Sequence, residues 1–297
     1  MDIRDLEYFL ACCEAGSFTA AARNAHIVQS AMSSAIARLE RDLGSPLFDR
    51  NVTPIVLTEH GAALRAGAQR ILEAVQAARD DVAAVSGQVR GTVTLACTLN
   101  TGPLDLADLL AGVRDRHPGV IVKLRQSSAG SAGNLQALRE GSVDIALCAS
   151  PGDSLPSEFL RGVALYHLWS EPVVFVCRPD HPLGGRDQVA VSDLADEMIL
   201  RFPPGWGVRA IVDSALGATQ SAFEIIDYSL MMRLVRAGFG TTLVPASATH
   251  GDWAAGVRAI AVDDPQIRWS LAAAVSAQRQ LTAATNTVLA ALIQGSR

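Results

Sequence analysis

Three patterns of apolar and polar positions follow one another along the chain. Up to about residue 58 the pattern is short helical periods broken by tight turns. Leu6, Phe9, Leu10 and Cys13 recur at helical spacing, Gly16-Ser17 interrupts them, and Ser17 stands where it can cap a second helix from Phe18 to about Asn24. Ala20, Ala21 and Ala22 keep that helix slim enough for a neighbour to approach closely. A third helix is predicted from about Ser30 to Leu43, with Gly44 just past its end. Its apolar residues Met32, Ile36, Leu39 and Leu43 step by 4, 3 and 4, which predicts one buried stripe. The opposite face then carries Ser30, Ser34, Ala37, Arg38 and Arg41, with Gln29 and Ser33 at its N-terminal edge. Pro46-Leu47-Phe48 leads into a segment, 49–57, that reads as a small hairpin carrying Arg50, Asn51 and Thr53.

Residues 59–88 form one Ala-rich helical run capped by Thr58. Within it Leu64, Ala68, Ile71, Val75, Ala78, Val82 and Val85 alternate steps of 4 and 3. A sustained period of 3.5 residues asks for a partner helix, so this run is predicted to dimerise; the alternative is a helix lying on its own domain. The punctuation at Ser86-Gly87 and Gly91 ends it. From Gly91 onward short β-branched runs alternate with amphipathic stretches, predicting an α/β domain with mainly parallel sheets. The strands are expected at 92–97, 120–125, 143–149, 173–177, 198–202, 222–226, 241–244 and 269–275, and the helices at 104–116, 134–139, 208–216, 230–237 and 281–293.

Helix, tight turn, helix with a small-polar and arginine face, then hairpin, is the layout of a winged helix-turn-helix. Short Ser and Gln side chains at a helix start can reach base edges, and Arg can bridge to guanine or a phosphate. Three packed helices and a hairpin also serve as plain interaction modules. The ordered strings Leu6-Glu7-Tyr8-Phe9-Leu10, Gly16-Ser17-Phe18-Thr19-Ala20-Ala21-Ala22, Gln29-Ser30-Ala31-Met32-Ser33, Ile36-Ala37-Arg38-Leu39-Glu40, Leu43-Gly44, Pro46-Leu47-Phe48-Asp49-Arg50 and Leu57-Thr58-Glu59-His60-Gly61 resemble the LysR-type transcriptional regulators. The chain departs from that pattern at Val28, where the family usually has a capping serine, and on the wing, where Arg50 is the one basic residue.

The resemblance extends more loosely through Arg178-Pro179-Asp180-His181-Pro182-Leu183 and Gly238-Phe239-Gly240-Thr241-Thr242-Leu243-Val244-Pro245. It implies a two-lobed effector domain similar to type 2 periplasmic binding proteins. On that reading residues 1–58 are the winged helix-turn-helix, 59–88 the dimerisation helix and 91–297 the effector domain, with lobe I at about 91–165 and 268–297 and lobe II at 166–267. The crossovers are placed near 165–168 and 265–268. Such folds bind ligands between the lobes, at the carboxyl ends of strands where helix N-termini offer free N–H groups. The candidate effector residues are therefore Thr98, Asn100, Thr101, Ser127 and Ser128 from one lobe and Arg201, Phe202, Trp206, Asp227, Tyr228 and Thr241 from the other. Helix capping and core packing are the competing explanations for these residues. An Arg201 guanidinium at the cleft mouth would select a carboxylate or phosphate; otherwise it pairs with Asp227 or faces solvent. The resemblance also implies a dimer of dimers on double-stranded promoter DNA, with effector binding shifting the paired winged helices and so DNA bending and RNA polymerase access.

Composition bounds this picture. The 297 residues hold 25 Lys+Arg against 30 Asp+Glu, a net charge of -5, which argues against a coating of nonspecific nucleic acid. Even residues 1–58 carry five arginines against seven acids, so placement of charge, not its total, has to serve DNA binding. Few phosphate contacts per subunit predict tight binding only through joined subunits. The one lysine, Lys123, lies in Val-Lys-Leu and makes no phosphate-binding loop. No G-x-S-x-G occurs, and six scattered histidines form no H-E-x-x-H pair, so neither an enzyme nor a metal or cofactor is expected. The five cysteines show no C-x-x-C spacing and read as reduced thiols. Neither a signal sequence nor a membrane-length apolar run is apparent, which places the protein in the cytoplasm. The rival readings are a solute-binding protein and an α/β enzyme using the same cleft.

Overall fold

The computed structural model describes residues 1–50, 52, 54–85, 88–151, 161–217 and 223–296. It divides into two units, Met1–Val85 and Ser86–Arg297.

The first unit begins with α1 (Ile3–Ala15), α2 (Phe18–Asn24) and α3 (Gln29–Leu43), followed by the antiparallel pair β1 (Phe48–Asp49) and β2 (Val56–Leu57) and the long α4 (Glu59–Val85). The capping expected of Ser17 is present: its hydroxyl accepts from the Ala20 N–H at 3.4 Å. Leu6, Phe9, Cys12, Ala21, Ala22, Met32, Ile36, Leu39, Leu47 and Phe48 make one core, with the Phe48 ring set 5.3 Å from Phe9 and 5.4 Å from Phe18. Two side chains depart from the sequence pattern. Cys12 takes the buried α1 position and Cys13 is half-buried, because the stripe runs Leu6, Phe9, Cys12; Leu43 ends up exposed on the last turn of α3.

Thr58 fixes the start of α4, donating to the Pro46 carbonyl at 2.7 Å and accepting from the Gly61 N–H at 3.1 Å. The regular apolar stripe of α4 then divides. Ala68 is wholly buried, and it joins the winged-domain core with Leu64 and Leu72 packed against it. Leu64 and Ala68 are thus occupied by their own domain, which corrects their assignment to a partner helix. Ile71 and Ala78 are exposed, Val75 is half-buried, and Val82 is 74% exposed; the Val85 side chain lies outside the described residues.

In the second unit β3 (Arg90–Cys97), β4 (Gly119–Gln126), β5 (Ile145–Pro151), β6 (Val163–Cys177) and β11 (Arg268–Ser276) build the first lobe in the order β4-β3-β5-β11-β6. On one face α5 (Leu106–Arg116) packs with α9 (Ala283–Gly295), and α6 (Gly130–Glu140) covers β5 on the other. β6 is shared. Its residues Val163–Pro172 pair with β11, whereas Val173–Cys177 pair with β9 (Thr241–Pro245) and β10 (Arg258–Val262) of the second lobe. The second lobe adds β7 (Gln188–Val189), β8 (Ile199–Leu200), α7 (Gly207–Leu216) and α8 (Tyr228–Arg236).

Three expectations need correction. The sheet is mixed: β3 pairs in parallel with β4 and β5, but β11 runs antiparallel to β5 and β6, and β6 antiparallel to β9 and β10. The first crossover lies at Pro172–Val173, not 165–168, since the ladder with β11 holds residues 163–172 in the first lobe. The strand expected at 222–226 falls partly outside the described residues; its described part makes an isolated parallel bridge from Glu224 to Arg201. No helix is long and apolar enough to cross a membrane among the described residues.

Candidate functional site

α3 presents the face that the sequence predicts. Met32, Ala35, Ile36 and Leu39 point into the core, and Gln29, Ser30, Ser34, Arg38 and Arg41 are exposed on the other side. Val28 occupies the N-cap without a side-chain bond, so the first-turn N–H groups keep no side-chain cap. Gln29 donates to the Ser33 hydroxyl at 2.8 Å, which holds two of the candidate side chains together.

The arginines differ in freedom. Arg38 forks onto Asp5 of α1 through Nε, 2.9 Å from Oδ2, and through Nη2 to Oδ1. Asp5 is only 1% exposed, so Arg38 is needed to neutralise a buried carboxylate whatever else it touches. Arg50 donates to Glu40 at 2.7 Å and stands 5.2 Å over the Phe18 ring. Glu40 also accepts from the Leu47 N–H at 2.9 Å, tying the wing to α3. Arg41 makes no ion pair among the described residues; its Nε reaches the Ala37 carbonyl at 3.3 Å. Asn51 and Thr53 lie outside the described residues. Arg23, in the last turn of α2, is a further exposed cation that the reading of α3 passed over.

The second site lies between the lobes. A cavity of about 10 Å³ is lined by Thr98, Leu99, Asn100 and Ser131 of the first lobe, Trp206, Gly207, Val208 and Tyr228 of the second, and Ala149 and Trp269 of the strands between. That is room for about one water, so the lobes are shut on each other. Several bonds shut them. Asn100 donates to Ser247 at 3.1 Å, the Trp206 indole donates to the Ser128 carbonyl at 3.2 Å, and the Ala132 N–H donates to the Gly205 carbonyl at 3.1 Å. Gly207 is in van der Waals reach of the first lobe: a Cβ there would stand 2.6 Å from the Ala149 carbonyl oxygen.

Of the eleven candidate effector residues, Thr98, Asn100, Trp206 and Tyr228 line this cavity. Phe202 packs beside it, its ring tilted against Trp206 and Tyr228 with centroids 5.6 and 5.0 Å away. The others are engaged elsewhere. Thr101 donates to the Leu104 carbonyl, and Asp227 caps α8 by accepting from Leu230 at 2.6 Å. Ser127 and Ser128 border a separate groove of about 350 Å³ beside Arg125 and α6. Thr241 is buried on β9, bonded toward Glu197 and the Met198 carbonyl. Arg201 is 4% exposed and pairs with Asp213 of α7, not with Asp227; it also donates to the Gly217 carbonyl at 3.1 Å. Arg209 joins it from one turn of α7, reaching Asp213 at 2.7 Å and Glu224 at 3.2 Å. The guanidinium expected at the cleft mouth is therefore part of an ion cluster inside the second lobe.

Sequence patterning missed Leu99, Ser131, Ala149, Gly207, Val208 and Trp269 as cavity walls. Trp269 had a signal, being the first residue of an expected strand beside a crossover; Gly207 and Ala149 had none, because their role is to let two backbones meet. The thiols take no part in either site. Burial pushes Cys12 and Cys148 up to about 12 and Cys13 up to about 11.

The chain matches two family descriptions, "Bacterial regulatory helix-turn-helix protein, lysR family" over residues 3–62 and "LysR substrate binding domain" over residues 86–297. It is 32% identical over 256 residues to the HTH-type transcriptional regulator BudR of Raoultella terrigena, covering 84% of this chain and 86% of that protein. It is 31% identical to a probable hydrogen peroxide-inducible genes activator of Mycobacterium avium, covering 83% of this chain and 78% of the other. The fold is similar to that of full-length CbnR solved with its target DNA, with a TM-score of 0.67 at 22% identity over 100% of this chain and 99% of that one. The chain belongs to the LysR-type family of DNA-binding transcriptional regulators.

Proposed function

We propose that the protein reads promoter DNA with the exposed face of α3, and that a small molecule held between the lobes of the second unit sets how it does so. The observation that carries the first half is the α3 surface. Gln29, Ser30, Ser33, Ser34 and Arg41 stand clear of the core on a helix whose first turn has no side-chain cap. Arg41 and Arg23 supply phosphate contacts, Gln29 and the serines reach base edges, and Arg38 and Arg50 hold the reading surface in place with their remaining donors turned outward. The exposed Ile71, Ala78 and Val82 of α4, with the half-buried Val75, join a second subunit, and pairs of dimers share one promoter site. Lobe movement then alters DNA bending and access by RNA polymerase in the cytoplasm.

The test is binding to the DNA upstream of the gene and of its neighbours, titrated with salt. Each phosphate contact removed lowers the salt slope by about 1. Arg41→Ala is expected to weaken binding across sequences and to lower the slope by that amount per subunit, with thermal stability unchanged. Arg38→Ala is expected to lower the stability of the first unit as well, because Asp5 loses its counter-charge. Absence of any specific upstream binding, with Arg41→Ala indistinguishable from wild type, would refute the proposal. Peroxide sensing of the kind printed in the mycobacterial relative's name is not proposed for this chain. Cys12, Cys97, Cys148 and Cys177 are buried, and burial holds their thiols in the neutral, unreactive form.

A further inference from the structure

Behind the cleft lies a buried carboxylate without a counter-charge. Glu171, on β6, is 6% exposed and makes no ion pair among the described residues. It accepts two hydrogen bonds, both from Ser247: the N–H at 2.9 Å and the hydroxyl at 2.6 Å. Buried glutamates are nearly always paired with a cation, since two neutral donors offset only part of the cost of removing the charge from water. The cavity wall is close by. Glu171 is the cross-strand partner of Trp269, Ser247 is bonded to Asn100, and both Trp269 and Asn100 line the cavity. The charge is felt there, because burial and then Glu171 push the Tyr228 phenol upward.

The remaining lining has no cation to supply. Arg201 is held by Asp213, and no Lys, Arg or His lines the cavity among the described residues. Residues 152–160 and 218–222 contain none in their sequence either. The walls are aromatic instead: Trp206, Trp269 and Tyr228 line the cavity, and Trp169 lies against Gly102 on the adjoining loop. Aromatic faces around an acidic group favour a cation and give nothing to a lone carboxylate. The first turn of α7 at Gly207 and Val208 leaves N–H donors uncapped on the same cavity, which suits an acceptor oxygen elsewhere on the ligand.

Resting on the proposal that the cleft is the effector site, we infer that its effector carries a protonated nitrogen, an ammonium or guanidinium, that becomes the counter-charge of Glu171. In the closed cleft the Ser247 hydroxyl occupies that role. Parting the lobes breaks the Asn100–Ser247 bond, and the ligand nitrogen takes the place of the hydroxyl. A simple carboxylate is excluded by the same charge.

The test uses the full-length protein and sets of compounds that share a skeleton: tyrosine, tyramine and 3-(4-hydroxyphenyl)propionate; ornithine, putrescine and valerate; and valine, isobutylamine and isovalerate. Binding is read by tryptophan fluorescence and thermal shift. Nitrogen-bearing members of at least one set are expected to bind and the corresponding acid to fail. Glu171→Gln, which keeps the shape and can still accept from Ser247, is expected to lose at least tenfold in affinity. Ser247→Ala, which removes the competing hydroxyl, is expected to bind the nitrogen ligand more tightly. The inference is overturned if the acid binds as well as its amine, if Glu171→Gln binds the amine as wild type does, or if no nitrogen compound binds. Acid binding abolished by Trp206→Ala would leave the cleft as effector site and remove only the cation. A response from no compound in any set would count against both.

Discussion

The placement of Arg201 predicts that it stabilises the second lobe and does not clamp a ligand. In Arg201→Met the apolar stem is kept and the charge removed, so Asp213 loses one partner and the Gly217 carbonyl one donor. Removing one member of a well-buried ion pair costs about 3–5 kcal/mol, because the other is stranded. Here Asp213 is a quarter exposed and retains Arg209 at 2.7 Å, which lowers the loss to about 2–3 kcal/mol. For a domain of this size each kcal/mol moves the midpoint by about 2–4 °C, so the melting temperature should fall by about 5–10 °C. Calorimetry on the wild type, Arg201→Met, Asp213→Asn and the double variant gives the coupling directly. Ligand affinity measured below the transition should change less than about twofold, well under the ~1.4 kcal/mol that a tenfold change represents. An unchanged midpoint together with a tenfold loss of affinity would refute the argument and restore Arg201 to the cleft.

Other positions give equally specific expectations. His26 holds a left-handed backbone at φ 54° in the turn between α2 and α3, so His26→Gly should stabilise the first unit by about 0.5–1 kcal/mol after the extra freedom of unfolded glycine is subtracted, read from the denaturant midpoint. Gly207→Ala should wedge the lobes apart at the Ala149 carbonyl and raise acrylamide quenching of tryptophan; quenching identical to wild type would show that the backbones yield instead. Cys12 and Cys148 stay neutral in the folded chain up to about pH 12, whereas unfolded thiols ionise near pH 8.5. Their contribution is therefore intact below the unfolded value and is lost as pH rises from about 9 to 12, giving a fall in stability with a slope of up to about one proton for each thiol, which Cys148→Ala should reduce. Native protein at pH 8 should react slowly with a thiol reagent, with Cys13, the half-buried thiol, leading.

Much of the first unit could be read in the sequence because its signals are local. Gly16-Ser17, Gly44 and Thr58 mark helix ends through bonds within a few residues, and Met32, Ile36 and Leu39 reveal their face by spacing alone. Periodicity cannot say which body covers a stripe. Leu64 and Ala68 carry the same signal as Ala78 and Val82, yet the former meet Leu6 and Phe9 in one core while the latter stay exposed. In the second unit the expected strand at 173–177 is only the second half of β6; its first half, 163–172, is interrupted by Tyr166, His167 and Ser170, and its pairing with β11 lies about a hundred residues away in sequence. The cleft was legible where side chains are distinctive, as with Trp206 and Tyr228. Arg201 misled because its partner Asp213 belongs to α7, and the sequence holds no signal for which acid a buried guanidinium will choose.

The divided stripe of α4 makes that helix a keyed shaft. Its first turns are locked into the winged domain through Leu64, Ala68 and Leu72, and its later turns offer the seam. In the proposed dimer, the angular phase between α3 and its counterpart in the second subunit follows from how many residues separate lock from seam. One residue inserted after Leu72 turns the seam by about 100° and advances it about 1.5 Å, whereas a full heptad nearly restores the phase and lengthens the shaft by about 10 Å. In the proposed dimer the spacing and rotational setting of two DNA half-sites would therefore be written in the length of this single helix, independently of any residue that touches a base.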